Sequence, residues 1–308
     1  MKILLTGGSG LVGRNILAAA PQHSHTFFAP TSKELNLLDG AAVTAYIADL
    51  RPDLIIHAAG KVGGIQANIE NPVRFLVENL DMGKHVLLAA RDAKVKNILN
   101  LGSSCMYPRE AENPLKEELI LRGELEPTNE GYALAKILVA RLAEYLGRED
   151  KTLQYKTIIP CNLFGKWDNF DARTSHMIPA AIRKVMTAKA QGSTEVEIWG
   201  DGTARREFMY TGNLVDFIFY AIERLDKMPA YLNVGPGTDY SINEYYEKIS
   251  AVTGYAGGFR HDLTKPVGMR RKLVDTTKLS AFGWKPPVSL EQGLKEACQF
   301  YQENHANQ

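Results

Sequence analysis

The chain has 308 residues, 45% of them hydrophobic, and a formal net charge of +1. This length allows one large α/β domain or one and a half, and the near-neutral charge without long Lys or Arg runs argues against dedicated binding to nucleic acids or anionic membranes. The apolar runs are too short or too polar to span a bilayer, and no signal-peptide pattern precedes the first glycine loop. The cysteines, Cys105, Cys161 and Cys298, have no CxxC spacing, which argues against a zinc site and fits a reducing cytoplasm.

The first two thirds of the sequence alternates short aliphatic runs with longer amphipathic stretches. Apolar residues recur at i, i+3, i+4 and i+7 in the longer stretches, for example within 43–50, which predicts helices. The predicted strands are 2–5, 26–29, 54–58, 98–101 and 156–163, and the predicted helices are 41–50, 71–93 and 128–146. This alternation indicates an α/β fold with a doubly wound parallel (Rossmann) sheet, whose site lies at the carboxyl ends of the strands.

The alternation stops after Gly165. The remaining sequence predicts a loop at 166–175, strands at 195–199 and 231–234, and helices from about 176 and at 212–225, 243–253 and 290–303. We interpret residues 1–165 as a dinucleotide-binding domain and 166–308 as a smaller α/β substrate lobe, some of whose segments could return to the large sheet.

A glycine-rich loop joins the first predicted strand to the helix that follows it. Its glycines, Gly7, Gly10 and Gly13, let the backbone approach a pyrophosphate, and the helix N-terminus at Leu11 and Val12 favours the negative charge. The spacing fits both GxGxxG and GxxGxxG. Together with the strand–loop–helix context, it predicts a dinucleotide site rather than an ordinary glycine turn.

The end of the second predicted strand bears on which dinucleotide binds. An NAD site has an acidic residue there to hold the ribose 2′-hydroxyl, but no acid occurs before Glu34. Hydroxyl side chains followed by Lys33, with Arg14 from the loop helix, suit a 2′-phosphate instead, which favours NADP(H). Asp39 could accept from the adenine amino group or cap the helix predicted at 41–50.

Tyr132 and Lys136 lie one turn apart on a predicted helix, so that they share one face. A tyrosine with a pKa of about 10 needs an adjacent cation to titrate near neutrality, and Lys136 could supply that charge while binding the nicotinamide ribose. Tyr132 would then protonate a carbonyl oxygen as hydride reaches the carbon. The spacing alone occurs in many helices. Ser103 and Ser104 follow the strand predicted at 98–101 and strengthen the catalytic interpretation of Tyr132 and Lys136. One hydroxyl, which we take to be that of Ser103, can hold the carbonyl, while the other caps a local amide.

These features together resemble the extended short-chain dehydrogenase/reductases and, among them, the family of GDP-L-fucose synthases. Members of this family are NADP-dependent 3,5-epimerase/4-reductases of GDP-4-keto-6-deoxymannose. The resemblance covers nearly the whole chain. It rests on residues 6–13, 58–64, 101–108, 126–136, 162–165, 168–170, 175–179, 199–202, 206–208 and 271–273.

The resemblance implies further roles at the site. Cys105 and His176 match a pair that exchanges protons on the ring carbons that the 4-keto group acidifies. Local sequence alone makes Cys105 a small buried residue, and a reactive thiolate needs a nearby cation. The resemblance also implies that Ala58, Ala59, Gly60 and His176 contact the cofactor, and that Ser104, Lys184, Trp199, Arg206 and Lys272 surround a GDP-linked 4-keto-6-deoxy sugar.

Three departures from the family pattern leave the sugar and the cofactor preference open. Asp171 stands in place of a histidine, residues 166–167 replace Pro-His, and Ser9 replaces an arginine. A GDP-6-deoxy-4-keto-heptose 4-reductase with little or no epimerase activity would share most of the motifs. The resemblance also implies a homodimer formed through the helices predicted at 71–93 and 128–146.

Two other classes of function fit the sequence less well. A sugar-nucleotide 4,6-dehydratase needs a carboxylate beside the catalytic hydroxyl, where this chain has Ser104 and Cys105. A dinucleotide-binding protein without turnover would not be expected to retain Ser103, Tyr132 and Lys136 together.

Overall fold

The computed structural model describes residues 1–172, 174–265 and 269–305. Arg173, in the loop predicted at 166–175, and residues 266–268 and 306–308 of the predicted substrate lobe lie outside these ranges. The strands are β1 (Lys2–Thr6), β2 (Thr26–Phe28), β3 (Leu54–His57), β4 (Asn97–Leu101), β5 (Gln154–Pro160), β6 (Asn162–Phe164), β7 (Glu195–Trp199), β8 (Arg205–Arg206), β9 (Phe208–Tyr210), β10 (Tyr231–Val234), β11 (Tyr240–Ser241), β12 (Gly258–Asp262) and β13 (Arg271–Lys272). The α-helices are α1 (Leu11–Ala19), α2 (Gly40–Leu50), α3 (Ile65–Glu70), α4 (Pro72–Asp92), α5 (Glu130–Glu149), α6 (Met177–Gln191), α7 (Thr211–Ile222), α8 (Ile242–Thr253), α9 (Thr277–Phe282) and α10 (Leu290–His305). In the part of the chain so described, no helix is both long and apolar enough to cross a membrane.

Six strands form one parallel sheet in the order β10-β5-β4-β3-β1-β2. Ile3, Leu4 and Leu5 of β1 have no exposed surface, because helices cover both faces of the sheet. The chain runs outward from β1 to β2 and then returns to β3, so the direction of winding reverses between β1 and β3. The predicted doubly wound parallel sheet is confirmed, and a ligand crevice is expected at this reversal point.

The later part of the chain forms small sheets around a second group of buried side chains. β8 lies between β11 and β13, β7 pairs with β12, and β6 pairs with β9. Ile182 of α6, Ile249 of α8 and Leu294 of α10 pack together in this second core. The arrangement forms a smaller α/β unit beside the large sheet.

Segments beyond residue 165 also belong to the large sheet. β10 is its edge strand beside β5. Leu214, Phe217 and Ile218 of α7 share the hydrophobic core of Ile3 and Leu5. The division of the chain at residue 165 therefore stays a prediction about domains, since the central sheet draws strands from both sides of that residue.

The strand predicted at 156–163 is two strands in the structure. β5 ends at Pro160, and β6 begins at Asn162 and pairs with β9 instead of the central sheet. Cys161, between them, donates its backbone N–H to Val234 O at 3.0 Å, the last contact of this segment with β10. A continuous apolar run carries no signal for the point at which the chain changes its partner strand.

Candidate active site

The glycine loop after β1 is shaped by close backbone packing. Gly7 has φ +78°, and a Cβ there would lie 2.6 Å from the backbone nitrogen of Ala59. A Cβ on Gly13 would lie 2.2 Å from Gly7 O, whereas one on Gly10 would meet only that oxygen, at 3.5 Å. Gly10 is the N-cap residue of α1. Because it has no side chain, none covers the N–H groups of Leu11 and Val12 at the start of the helix. This open cradle at a helix N-terminus fits the pyrophosphate of a dinucleotide.

The residues beside the cradle fit a 2′-phosphate better than a ribose hydroxyl. The carboxylate of Glu34 accepts from Thr31 N at 2.7 Å and from the Thr31 hydroxyl at 2.9 Å, so it is engaged within its own turn. Arg14 donates from Nε to Ser9 O at 2.9 Å, which holds its exposed guanidinium beside the loop, and Lys33 is exposed. Asp39 caps α2 by accepting from Ala42 N at 3.0 Å, and its role toward adenine stays a prediction.

Three predicted catalytic groups meet at the carboxyl end of β4. The Cys105 thiol donates to the Ser103 hydroxyl, with 3.1 Å between sulfur and oxygen. The Ser103 side chain also lies near Tyr132 of α5, where it opposes the rise of the phenol pKa that burial causes. The expectation that Ser104 caps a local amide is wrong: the Ser103 hydroxyl accepts from Cys105 N and caps the short 3₁₀ turn 104–106, in which Ser104 is buried. The Ser103 hydroxyl therefore contacts the predicted base, Cys105, and lies near the predicted proton donor, Tyr132.

Lys136 is buried behind this group, with 7% of its surface exposed. Its Nζ donates to Leu101 O at 2.8 Å and lies 5.7 Å from the centre of the Tyr132 ring. It also lies 3.5 Å from the position that a Cβ on Gly60 would occupy, so it reaches the end of β3. Burial lowers the pKa of Lys136 to about 8, with an opposing contribution from Cys105, and burial raises the pKa of Tyr132.

Cys105 is 5% exposed, and burial raises the pKa of its thiol. Lys272 opposes this rise most strongly among the charged groups, followed by the hydrogen bond with Ser103 and the charge of Lys136. Burial also lowers the pKa of Lys272, and the charges of Cys105 and Glu126 act against that change. The structure thus places Lys272, predicted to contact a diphosphate, within electrostatic reach of the thiol.

His176 is the N-cap residue of α6, and its side chain makes no capping hydrogen bond. The backbone just before it, at Thr174 and Ser175, approaches Gly64 in the loop that follows β3. Its side chain is exposed, although the surrounding protein lowers its pKa by desolvation. Among the described residues, no hydrogen bond or charge effect links His176 to Cys105, so the structure does not bring the predicted pair into contact.

Trp199, at the end of β7, has an indole that is 54% exposed rather than buried in the core. Lys184 Nζ and Lys265 Nζ lie 5.4 and 5.3 Å from its ring centre. The indole N–H donates to Glu197 Oε1 at 3.1 Å, and Lys184 Nζ donates to Glu197 O at 2.9 Å. These contacts hold an open aromatic face beside two cations, which suits a nucleotide base and its phosphates.

The basic run 270–272 divides between different environments. Arg271 forms an ion pair with Asp239, whereas Lys272 is paired in register with Arg206 across β13 and β8. Arg270 lines a cavity of about 790 Å³ together with Glu126 and with residues of the segment 109–113. Arg270 and Arg271 thus both line the cavity, Lys272 acts on the thiol, and Arg271 alone of the three has a carboxylate partner among the described ion pairs.

Sequence reasoning missed three groups near the site, two of them buried. His57, at the end of β3, pairs through Nδ1 with the Thr6 hydroxyl at 2.8 Å, and burial lowers its pKa to about 3. Glu207 is 1% exposed and Glu126 acts on Lys272 and Arg206. Both glutamates lie inside motifs that carry the family resemblance, but nothing in a sequence tells that Glu207 is buried or that Glu126 faces Lys272 and Arg206.

Comparisons with known proteins agree with this architecture. Residues 3–235 match the model of the NAD dependent epimerase/dehydratase family. The chain is 58% identical over 301 residues to GDP-L-colitose synthase of Yersinia pseudotuberculosis, covering 98% of each chain. It is 48% identical over 300 residues to GDP-L-fucose synthase of Azorhizobium caulinodans, covering 97% of this chain and 96% of the other.

Solved structures resemble the whole chain as well. A GDP-6-OMe-4-keto-L-xylo-heptose reductase from C. jejuni superposes with a TM-score of 0.92 at 27% identity, covering 98% of this chain and 97% of the other. A GDP-L-fucose synthetase from Naegleria fowleri bound to NADP gives a TM-score of 0.88 at 25% identity, covering 98% and 94%. The chain belongs to the NAD dependent epimerase/dehydratase family and, within it, to the NADP(H)-dependent epimerase/reductases related to GDP-L-fucose synthase.

Proposed function

We propose that this protein epimerises a GDP-linked 4-keto-6-deoxy sugar at C3 and C5 and reduces its 4-keto group with NADPH, with GDP-4-keto-6-deoxy-D-mannose and GDP-L-fucose as substrate and product. The observation that carries this proposal is the Ser103 hydroxyl, which accepts a hydrogen bond from Cys105 and lies near Tyr132, whose pKa it lowers. A carbonyl held at Ser103 lies beside a proton donor for reduction and a thiol for proton removal. Relatives named GDP-L-colitose synthase and GDP-L-fucose synthase, 58% and 48% identical, support the same substrate class.

The reduction needs a proton donor that stays protonated until hydride arrives. NADPH, when bound, supplies the hydride to C4. Tyr132 gives its phenolic proton to the carbonyl oxygen, and burial keeps that phenol protonated at neutral pH by raising its pKa. Lys136, whose pKa is about 8, is mostly cationic at pH 7 and stabilises the phenolate left on Tyr132. Ser103 donates a hydrogen bond to the oxygen as its negative charge develops.

The epimerisation uses the acidity of the carbons next to the keto group. The thiolate of Cys105 takes a ring proton, and the negative charge moves onto the keto oxygen at Ser103 and Tyr132. Protonated His176 gives a proton to the opposite face of the carbon, so the configuration inverts. Because His176 is exposed, it recovers its proton from water.

The GDP part of the substrate is assigned to the substrate lobe. The open indole of Trp199 and the cations of Lys184 and Lys265 suit the guanine base and adjacent phosphates. Arg206 and Lys272, paired in register on neighbouring strands, suit the diphosphate.

The assembly and the cellular location are also proposals. We propose a homodimer formed through α4 and α5, supported by the exposed apolar side chains of Val73, Val77, Leu138 and Tyr145 on these helices. The three described cysteines are free and buried, in keeping with the reducing cytoplasm expected from the sequence.

Turnover of defined ketosugars tests the proposal. The purified protein is mixed with NADPH and one of three sugar nucleotides in separate reactions. The three are GDP-4-keto-6-deoxymannose, then the 4-keto precursor of GDP-L-colitose, and then a GDP-6-deoxy-4-keto-heptose. We expect rapid NADPH oxidation with the first, and NMR of the product should show inverted C3 and C5. The colitose precursor is the second candidate because of the 58% identical relative, whereas the heptose reductases are only 27–29% identical. NADPH oxidation with none of the three would overturn the proposal.

A further inference from the structure

Glu207 lies between β8 and β9 with 1% of its surface exposed. Its carboxylate accepts two backbone hydrogen bonds, from Val274 N at 2.9 Å and from Gly237 N at 2.8 Å. Val274 follows β13, and Gly237 lies in the turn after β10 of the central sheet. One buried carboxylate therefore joins the strand that carries Lys272 to the end of the central sheet.

The backbone of Glu207 strengthens this junction. Its N–H donates to Lys272 O at 3.1 Å, and its carbonyl accepts from Asn162 Nδ2 at 3.0 Å. Together with the side-chain bond to Val274, residue 207 contacts the strand on both sides of Leu273. A Cβ on Gly235 would lie 2.5 Å from Glu207 Oε1, so the carboxylate fills the space that this glycine leaves open.

The effect of Glu207 on the neighbouring cations is geometric. Burial dominates the lowered pKa of both Arg206 and Lys272, and Glu126 opposes it in both cases, while Cys105 also acts on Lys272. Among the described residues, the charge of Glu207 does not contribute to the pKa shift of either cation. It therefore influences the two cations through the position of β13 and β8 rather than through its own charge.

We propose that Glu207 is a positioning residue that fixes β13 against the central sheet and so holds Lys272 and Arg206 where they bind the diphosphate of the substrate. This inference rests on the proposed function, because it concerns the same GDP-sugar site. Replacement of the carboxylate leaves at least one of two buried N–H groups without an acceptor, and the strand carrying Lys272 then loses its fixed position.

The same junction gives substrate binding a dependence on pH. Burial raises the pKa of Glu207 to about 7, the hydrogen bonds from Val274 and Gly237 oppose the rise, and the charge of Asp239 adds to it. The other titratable groups that face Glu207 are Cys161 after β5 and Tyr245 on α8. Protonation places a hydrogen on one of the two acceptor oxygens, so the junction is complete above pH 7 and is lost as the pH falls through 7.

Steady-state kinetics with the GDP-ketosugar test the inference between about pH 5.5 and 8.5, a range centred on the Glu207 pKa of about 7. For the wild type we expect the KM for the sugar nucleotide to rise as the pH falls below 7, with a smaller change in kcat. Glu207→Gln should raise KM about tenfold at pH 8, as expected for the loss of a buried hydrogen bond to a charged acceptor, and should remove the pH dependence of KM. Glu207→Asp, which keeps the charge on a shorter side chain, should keep a pH-dependent KM.

Asp168→Asn is the matched control, because Asp168 is another buried carboxyl with a pKa of about 7 but has no contact with β13 among the described hydrogen bonds. Its KM should follow the wild-type pH dependence. A wild-type KM that does not change between pH 6 and 8, or a Glu207→Gln variant that is merely less stable with an unchanged KM, would overturn the inference.

Calorimetric titration with GDP alone separates this inference from the proposed function. We expect the Kd for GDP to follow the same pH dependence and the same order of variants, and the Kd for NADPH to stay constant. A protein that binds no GDP contradicts the proposed function. A protein that binds GDP equally well with and without Glu207 contradicts the positioning role alone.

Discussion

The sulfur of Cys105 lies 3.1 Å from the hydroxyl oxygen of Ser103, and the thiol is the donor of that hydrogen bond. Since Ser103 also lies near Tyr132 and acts on the pKa of its phenol, removal of the thiol should separate the two chemical steps. Cys105→Ser keeps the small size and the donor but replaces a thiol with a much less acidic hydroxyl. We expect exchange of ring protons with deuterated solvent to fall at least about 100-fold, while hydride transfer to the 4-keto group persists.

NMR of the recovered sugar nucleotide measures the exchange, and NADPH absorbance measures the reduction. Cys298→Ser is the control, because Cys298 is a buried thiol in the second core, away from Ser103. This variant should exchange ring protons at the wild-type rate. If wild-type protein incorporates no deuterium at C3 or C5, the epimerase half of the proposed function is wrong.

Lys272 should control the reactivity of Cys105, because its charge is the largest electrostatic influence that favours the thiolate. Lys272→Met keeps a side chain of similar length without the charge, so the pKa of the thiol should rise further. Alkylation of Cys105 by iodoacetamide at pH 8 should then slow by about tenfold, the effect expected when a nearby opposite charge is lost.

Mass spectrometry identifies the alkylated cysteine in this experiment. Lys265→Met removes a cation beside Trp199 that does not act on the thiol among the described groups, and should leave the alkylation rate unchanged. An unchanged rate in Lys272→Met would show that Lys272 serves the diphosphate only.

The regular part of the fold could be predicted because its signal is local. Every residue of β3 is buried, and β7 and β10 have the predicted bounds 195–199 and 231–234. The strands β8 and β13 gave no such signal, since each consists of two basic residues, at 205–206 and 271–272. They are strands because β8 pairs with β13 and with β11, and pairing across a long stretch of sequence has no local pattern.

The residues of the site also differ in whether a local sequence pattern indicates them. Tyr132 and Lys136 could be found from their helical spacing, and the glycine loop from its position between strand and helix. The proximity of Lys272 to Cys105, and the burial of Glu207 at the junction of two sheets, depend on how distant segments pack. The family resemblance indicated Lys272 and Cys105 as site residues, but neither their proximity nor a role for Glu207.

The two half-reactions should depend on pH in opposite directions. Burial lowers the pKa of Lys136 to about 8, so the cation that stabilises the Tyr132 phenolate is lost as the pH rises through 8, and reduction slows. Burial raises the pKa of Cys105, so the thiolate fraction, and with it ring-proton exchange, grows with pH across the neutral range.

Both rates are measured on the same samples, by NADPH absorbance and by deuterium incorporation. Lys136→Arg keeps a permanent charge and should remove the alkaline fall in reduction, although at a lower overall rate because Arg is bulkier in this buried position. Reduction that stays constant up to about pH 10, beyond the Lys136 pKa of about 8, would contradict the role given to this lysine.

Assembly should depend on the apolar face of α4 and α5. Val73 is 72% exposed and Val77 is 47% exposed, one turn further along α4. Glu at both positions would place two charges in the proposed dimer interface, so we expect monomers by size-exclusion chromatography with light scattering. Leu121→Glu, at an exposed apolar position outside these helices, should leave the dimer intact. A wild-type monomer at micromolar concentration would overturn the dimer.

Asp168 should lower the stability of the folded protein at neutral pH. Burial raises the pKa of its carboxyl from 3.8 to about 7, and its Oδ2 has no hydrogen-bond partner among the described atoms. The folded state therefore holds a proton that the unfolded chain has released, so stability falls as the pH rises from about 4 to 7 and is constant above.

Asp168→Asn removes this cost, because the amide is neutral and its oxygen can still accept from Asn169 N, as Asp168 Oδ1 does at 2.8 Å. We expect the variant to be more stable than the wild type above pH 7, by up to about 4 kcal/mol, with a difference that shrinks toward pH 4. Urea unfolding at several pH values measures it. A constant difference at all pH values would mean that the amide changes packing rather than charge, and a less stable variant at pH 8 would mean that the ionised carboxylate has a stabilising partner in the folded protein.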